Sequence, residues 1–294
     1  MLTKSARGMA YDKKMENKKS LVVITWDGIN IPLYSVDFDS PASFNILLFN
    51  YSGNDKSPID EAGGYYQHLL SVKTECKGQV ILAVYNYLRD KTEDYEYIGF
   101  IDDDILIRAS DINYMLKIAV IHQLDTFQPS ISHDSYHSHR RYLHNPYLTL
   151  ASVRWVEIMS PFFRKELFEA AADFYSQTIS SYGIDCYVMP FYQKLLHMER
   201  SAVIHAVVIK HYRPVTPGEK KYSNQLTAYE EKALIRTAII NLIKTSYADK
   251  FDAAFMAEVY GVGRGFFYYA GVLLNAGEKI TTSLIQSLKT KAVQ

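Results

Sequence analysis

Cysteine is nearly absent: among 294 residues there are only Cys76 and Cys186. Two thiols build neither a disulfide framework nor a cysteine-rich zinc module, and they read as reduced thiols of a cytoplasmic protein. An excess of charge of either sign is missing as well. Lys and Arg number 32 against 32 Asp and Glu, which removes the long-range field expected of a protein whose main task is to hold a nucleic-acid backbone. No run reaches the roughly 18 apolar residues of a membrane span; Phe266 to Leu274 comes nearest and is interrupted by Gly271. Gly-x-Ser-x-Gly, His-Glu-x-x-His and Walker motifs are absent, so hydrolase, metalloprotease and NTPase chemistries lose their usual support. There is no internal repeat. The one glycosylation sequon, Asn50-Tyr51-Ser52, is a pattern that arises by chance and is set aside.

What is present describes a folded protein with a large core. Apolar residues make up 48% of the chain, aromatic residues 14%, and mean hydropathy is -0.13. Residues 1–19 are basic without the apolar stretch of a secretory signal and read as a flexible leader outside the fold. From Leu21, short apolar runs alternate with amphipathic stretches, which favours an α/β layer structure. Strands are expected at Leu21 to Trp26, Phe44 to Tyr51, Tyr95 to Ile101, Arg154 to Phe163 and Ala202 to His211. Tyr65 to Thr74 reads as a short helix or connector, and periodicity does not decide between strand and helix for Gly78 to Leu88. Helices are expected over Ile112 to Leu124, capped by Asp111, and over Arg164 to Ser180. Pro214 and Pro217-Gly218 then break the pattern. A boundary near residue 220 separates a catalytic domain, residues 20–220, from a helical extension, residues 221–294.

The acidic triplet Asp102-Asp103-Asp104 follows an apolar strand, and strand alternation would send Asp102 and Asp104 to one side. Hard oxygen ligands at a strand end of an open α/β sheet suit Mg²⁺ or Mn²⁺ shared with substrate phosphates. A bare Asp-x-Asp is ordinarily a solvated turn; the apolar flanks on both sides tip the balance to a metal site. His211 closes the last strand, where an imidazole can be a third ligand and the Arg213 guanidinium can face a diphosphate; a capping surface histidine is the plainer alternative. Asp185, in SSYGID, is a candidate general base or an Asp bonding its own turn. Glu157 is an acid inside apolar sequence, either facing outward or binding a ligand. His133 to Pro146 holds four histidines and two arginines and suits a polar lid or an ordinary loop. Gly261-Val262-Gly263-Arg264-Gly265 lacks a preceding strand and reads as a helix break.

In this order, the signals resemble the GT-A type of nucleotide-sugar glycosyltransferase, a metal-dependent Asp-x-Asp family. The finer resemblance is to a largely uncharacterised domain family, carried by FNILLFNYSG, Lys77-Gly78-Gln79, YEYIGFIDDDI, Gln128-Pro129, Val156 to Phe163, Gly183-Ile184-Asp185 and the close at His211. It spans roughly residues 20 to 215. The family pattern has tryptophan where this chain has Tyr182, and an acid near His205.

The resemblance implies a GT-A, Rossmann-like mixed sheet flanked by helices, with the helical extension following. It implies Mn²⁺ or Mg²⁺ on Asp102, Asp104 and His211. The donor, a nucleoside-diphosphate sugar with UDP favoured, would meet Thr25, Asn54, Lys77, Asp102, Asp103 and Arg213. Gln128, Trp155 and Glu157 would bind the acceptor, and Asp185 would deprotonate it, inverting the sugar carbon. The expected activity is sugar transfer to a carbohydrate or glycolipid in surface polysaccharide synthesis. A nucleotidyl or phosphoryl transferase would use the same carboxylates but wants a phosphate-cradling loop. A non-catalytic carbohydrate-binding protein suits the 24 Tyr and 14 Phe but leaves the carboxylates without purpose. The expected location is the cytoplasm, at the inner face of the membrane if the C-terminal helices touch lipid; these helices could equally pack on the domain or form a homodimer.

Overall fold

The computed structural model describes residues 19–54, 65–252, 255, 256 and 259. The leader, the Gly261 to Gly265 stretch, the apolar run Phe266 to Leu274 and most of the helical extension lie outside the described residues. The chain divides into two compact units at Thr237/Ala238, and the sheet and the site residues described below lie in the first.

Six strands form the backbone of the first unit. β1 (Leu21–Trp26) pairs in parallel with β3 (Asn45–Asn50) on one side and β5 (Tyr97–Ile101) on the other, and β4 (His68–Ser71) extends the sheet beyond β3. Every residue of β1 and β5 is buried. Such continuous apolar strands are what a parallel sheet covered on both faces requires. β7 (Thr126–Ile131) continues the sheet beyond β9 (Phe162–Arg164), which is antiparallel to both β5 and β7. A Cβ on Gly99 would fall 2.2 Å from the Phe162 ring, so this crossing of β5 and β9 needs glycine. Phe162 in turn stacks on Phe127, ring centroids 5.0 Å apart.

The last strand, β10 (Ser201–His211), changes character midway. Its first half is wholly buried beside β7, whereas from His205 onward buried and exposed residues alternate. A register shift between Ile204 and Val208 marks the change, and the far end pairs antiparallel with β6 (Ile105–Arg108), itself joined by β2 (Val36–Asp37). β8 (Leu150–Ser152) lies against the first half of β10. The order is thus β2-β6-β10-β7-β9-β5-β1-β3-β4, a mixed sheet with helices Lys77–Arg89 and Ala109–Ile121 in its crossovers. Each fully buried Val, Ile or Leu of these strands contributes about 1.5–3 kcal/mol of hydrophobic stabilisation.

Several expectations change. Tyr65 to Thr74 contains an edge strand, β4, whose four residues alternate too briefly to announce it. Gly78 to Leu88 is helical. The second crossover helix begins at Ala109, with Arg108 at its N-cap and Asp111 in the first turn, where a carboxylate favours the helix dipole. The expected helix Arg164 to Ser180 breaks into an α-helix, Lys165–Ala170, and a 3-10 helix, Ala172–Gln177, with the Tyr175 hydroxyl donating to the Phe168 carbonyl. Of Arg154 to Phe163, only Phe162 and Phe163 are in a strand; the rest is an irregular wall described below. Asn50, the sequon residue, is fully buried, its amide donating to the Asn54 carbonyl and side chain.

Candidate functional site

β5 ends at Ile101, and Asp102 to Asp104 form the turn into β6, closed by Ile105 N–H donating to the Asp102 carbonyl at 3.0 Å. Strand alternation therefore stops before the triplet, and the three carboxylates take different partners. Asp102 is ion-paired with Lys77, the first residue of its helix. Asp103 accepts from the Tyr51 hydroxyl and the Arg213 guanidinium, each at 3.2 Å. Asp104 Oδ2 lies 3.3 Å from His211 Nε2. Thr25 fixes the turn from β1 by accepting the Asp103 N–H at 2.9 Å.

The electrostatics follow from this crowding. Burial pushes the Asp102 carboxyl up to about 6, with Lys77 opposing and the Asp104 charge adding to the rise. Asp103 is raised by burial against the pull of Arg213. Burial pulls the His211 imidazole down, but its bond to Asp104 and the Tyr136 carbonyl, with the Asp104 and Asp102 charges, together hold it above its ordinary value.

Among the described residues no three His, Cys, Asp or Glu side chains stand together as a metal cage. Asp104 and His211 are together; Asp102 is turned to Lys77. One observation fits a cation here: Asp104 Oδ1 is buried without a hydrogen-bond partner. Of the other donor candidates, Arg213 also reaches the Tyr34 hydroxyl at 3.0 Å. Asn54 belongs to the turn after β3, donating to the Gly28 carbonyl at 3.1 Å.

A cavity of about 450 Å³ carries the remaining candidates. Trp155 and Glu157 form one wall, Asp185 another, and His137 to His139 a third. The irregular stretch around Glu157 is held by side chains where a strand would use its ladder: Gln128 Oε1 accepts the Glu157 N–H at 2.5 Å, and Tyr142 donates to the Trp155 carbonyl at 2.8 Å. Gln128 is itself fully buried and does not line the cavity, so it supports the wall instead of facing a ligand. Arg141 lies over the Trp155 ring at 4.1 Å.

Glu157 is 6% exposed and its Oε2 has no hydrogen-bond partner. Burial, with the Asp185 charge adding, pushes its carboxyl up to about 7, against Ser138, His211 and Arg141. Asp185 sits in a π-helical turn, Ile184–Val188, entered through Gly183 at φ +99°. Its carboxylate accepts the Cys186 N–H at 2.7 Å, and burial raises it while Lys232 opposes.

Val215 to Glu219 of the Pro/Gly break also line the cavity, and so do Tyr229 and Lys232 from beyond the expected boundary near 220. No local sequence signal separates Lys232 from any solvated helix lysine.

No family model matches the chain, and no curated protein matches it. Solved structures do. The S. aureus TarS structure, residues 1–349 in complex with UDP-GlcNAc, superimposes with a TM-score of 0.54 at 14% identity, covering 84% of this chain and 74% of that one. The same protein in complex with UDP gives 0.52 at 15% identity, covering 90% and 76%. At this identity the likeness shows the fold: a GT-A-like mixed α/β sheet flanked by helices.

Proposed function

We propose that this chain is a nucleotide-sugar glycosyltransferase that moves a sugar from a nucleoside-diphosphate donor to a hydroxyl of a carbohydrate or glycolipid acceptor. The observation that carries this reading is the pairing, on a GT-A-like sheet, of an acidic turn at the end of β5 with a cavity walled by the buried Glu157 and the half-buried Asp185. The TarS complexes with UDP-GlcNAc and UDP support a UDP-sugar as donor class. In open α/β sheets, ligands bind beyond the carboxyl ends of the strands. Thr25, Lys77, Asp102, Asp103 and Arg213 gather there, with Asn54 on the neighbouring turn.

The acceptor occupies the cavity against Trp155, with Glu157 and Asp185 beside its hydroxyl. Asp185 takes the hydroxyl proton as the oxygen bonds to the anomeric carbon; the bond from that carbon to the diphosphate oxygen breaks, and its electron pair leaves with the nucleoside diphosphate. A single displacement of this kind inverts the carbon. Mn²⁺ or Mg²⁺ held by Asp104 and His211, with Asp102 once released from Lys77, would supply positive charge for that leaving group. The unpartnered Asp104 Oδ1 fits such an ion. Lys77 and Arg213 bring fixed positive charge to the same turn.

Catalysis belongs to the first compact unit in this reading. Among the described residues no helix is long and apolar enough to cross a membrane. Contact of the helical extension, residues 221–294, with the inner membrane face would suit a lipid-linked acceptor. The same segment could instead carry a homodimer contact.

Thermal unfolding with UDP and UDP-GlcNAc, each with Mn²⁺ and with chelator, tests the reading, because a ligand of the folded state raises stability with occupancy. The midpoint is expected to rise with nucleotide and Mn²⁺ together, and Asp104→Ala is expected to lose the Mn²⁺-dependent part. A folded protein unmoved by any nucleoside diphosphate overturns it.

A further inference from the structure

We propose that Lys232, near the start of the helix Ala228–Ser246, is a positioning residue for Asp185: its ammonium keeps that carboxylate ionised for proton abstraction. This deepens the proposed transferase and rests on it.

The helix starts with a capping box. Thr227 Oγ1 accepts the Glu230 N–H at 3.2 Å, and Glu230 accepts the Thr227 N–H at 2.7 Å. Glu231 then ties this turn to the loop leading to Asp185. Fully buried, its carboxylate accepts from the Thr178 hydroxyl at 2.8 Å, the Ile179 and Ser180 N–H groups at 2.9 and 2.8 Å, the Ser180 hydroxyl at 2.5 Å and the Asn224 amide at 2.7 Å. Gly183 meets the helix closely enough that a Cβ there would lie 3.0 Å from Ile235 and 3.5 Å from the Lys232 Cα. The geometry is thus locked between the helix turn and the Gly183-Asp185 turn.

Lys232 is half-buried on the cavity wall that Asp185 shares. Among the described residues its ammonium forms no ion pair and no hydrogen bond, and it lies 5.8 Å from the centroid of the Tyr187 ring. Among the described residues it is the only lysine or arginine lining the cavity. Against it stand two acids besides Asp185: Glu157, and Glu219 from the Pro/Gly break. From the third wall come His137 and His139, the latter pushed down by burial and by the Arg141 and Lys232 charges, which disfavour its charged form. The Cys186 thiol and the hydroxyls of Tyr182 and Tyr142, raised by burial, are neutral. Tyr229 completes the titratable set around the cavity. A carboxylic acid in a desolvated wall tends to hold its proton, and a base holding a proton abstracts none. Lys232 is the group placed to oppose this, and it is the largest influence acting against burial on Asp185.

The test is the protonation of Asp185 in the full chain, read by ¹³C-carboxyl NMR and assigned by the signal lost in Asp185→Asn. In Lys232→Met the midpoint is expected to move up by about one unit or more, as for a carboxylate losing a nearby opposite charge, and Lys232→Arg is expected to restore it. Lys232→Gln is made alongside, so a folding defect peculiar to methionine does not silence the experiment. With UDP-GlcNAc as probe and released UDP as readout, the acid limb of the rate profile should move by the same amount. A role confined to packing would lower the rate equally at all pH. A folded Lys232→Met or Lys232→Gln protein with the parent Asp185 midpoint overturns the inference. A parent that neither binds nor cleaves the nucleotide sugar overturns the transferase reading instead, while the NMR midpoint still reports on Lys232.

Discussion

Glu157 and Asp185 are two acids in one cavity wall, and their environments set how each behaves. Glu157 has its Oε2 buried without a partner and is raised to about 7; Asp185 has the Cys186 backbone N–H, and Lys232 on the same cavity wall, to support its charge. Glu157 therefore carries a proton over much of the range in which the unfolded chain has lost it. Between its unfolded value, near 4.5, and about 7, the folded state binds the extra proton, so stability falls as pH rises through that window. Glu157→Gln keeps the shape and removes the titration. Its stability relative to the parent is expected to grow from pH 4.5 to 7 and then level off, as urea unfolding across that range would reveal. An unchanging difference would mean that Glu157 is ionised throughout. At this scale the sequence was informative where a residue was chemically out of place: an acid within apolar text marked Glu157, and a glycine turn marked Asp185. It was misleading for Gln128, whose side chain holds up the Glu157 backbone from behind.

The helix Ala228–Ser246 shows how an element gains a role from its neighbour. Its capping box is plain in TAYE, yet nothing local says that the next residue, Glu231, receives five hydrogen bonds from partners that include Thr178 to Ser180. Those donors outweigh the cost of burial and hold the Glu231 carboxyl below its usual value. A depressed acid stabilises the fold fully above its unfolded value near 4.5, and that contribution is lost as pH falls through the folded value. Glu231→Gln is expected to be less stable at pH 7 by about 1–3 kcal/mol, the size expected when buried donors lose a charged acceptor. The gap should close on acidification below 4.5, as chemical denaturation at pH 7 and pH 3.5 would detect. The strands β1, β3 and β5 and the first half of β10 were legible because continuous burial leaves long apolar runs. The Arg154 to Pro161 wall was not, because its backbone groups bond to Gln128 and Tyr142, and apolar sequence alone does not reveal which partners a backbone finds.

Across the whole sheet, β9 is the strand that joins the parallel half to β7, and Arg164 is its anchor. Buried to 4% exposure, Arg164 reaches Asp125 at 3.0 Å, just before β7, and Glu96 at 3.8 Å, just before β5. Removing one partner of a buried ion network leaves uncompensated charge. Arg164→Met is expected to cost about 3–5 kcal/mol in urea unfolding, whereas replacing Asp125, Glu96 and Arg164 together by apolar residues of similar volume should recover most of it. A small effect of the single change would show that water reaches the carboxylates.

The sequence by itself determined that this is an α/β protein with apolar central strands, an acidic turn after one of them and a carboxylate in a glycine turn. These properties are local: they depend on which residues neighbour one another along the chain, and burial stamps them into the text. Tertiary structure alone decided the partners: that Asp102 turns to Lys77 while Asp104 meets His211, that Gln128 backs Glu157, and that Lys232 shares a wall with Asp185. Those pairings join residues from 25 to 107 positions apart, and only the folding of separate elements onto one another brings them within reach.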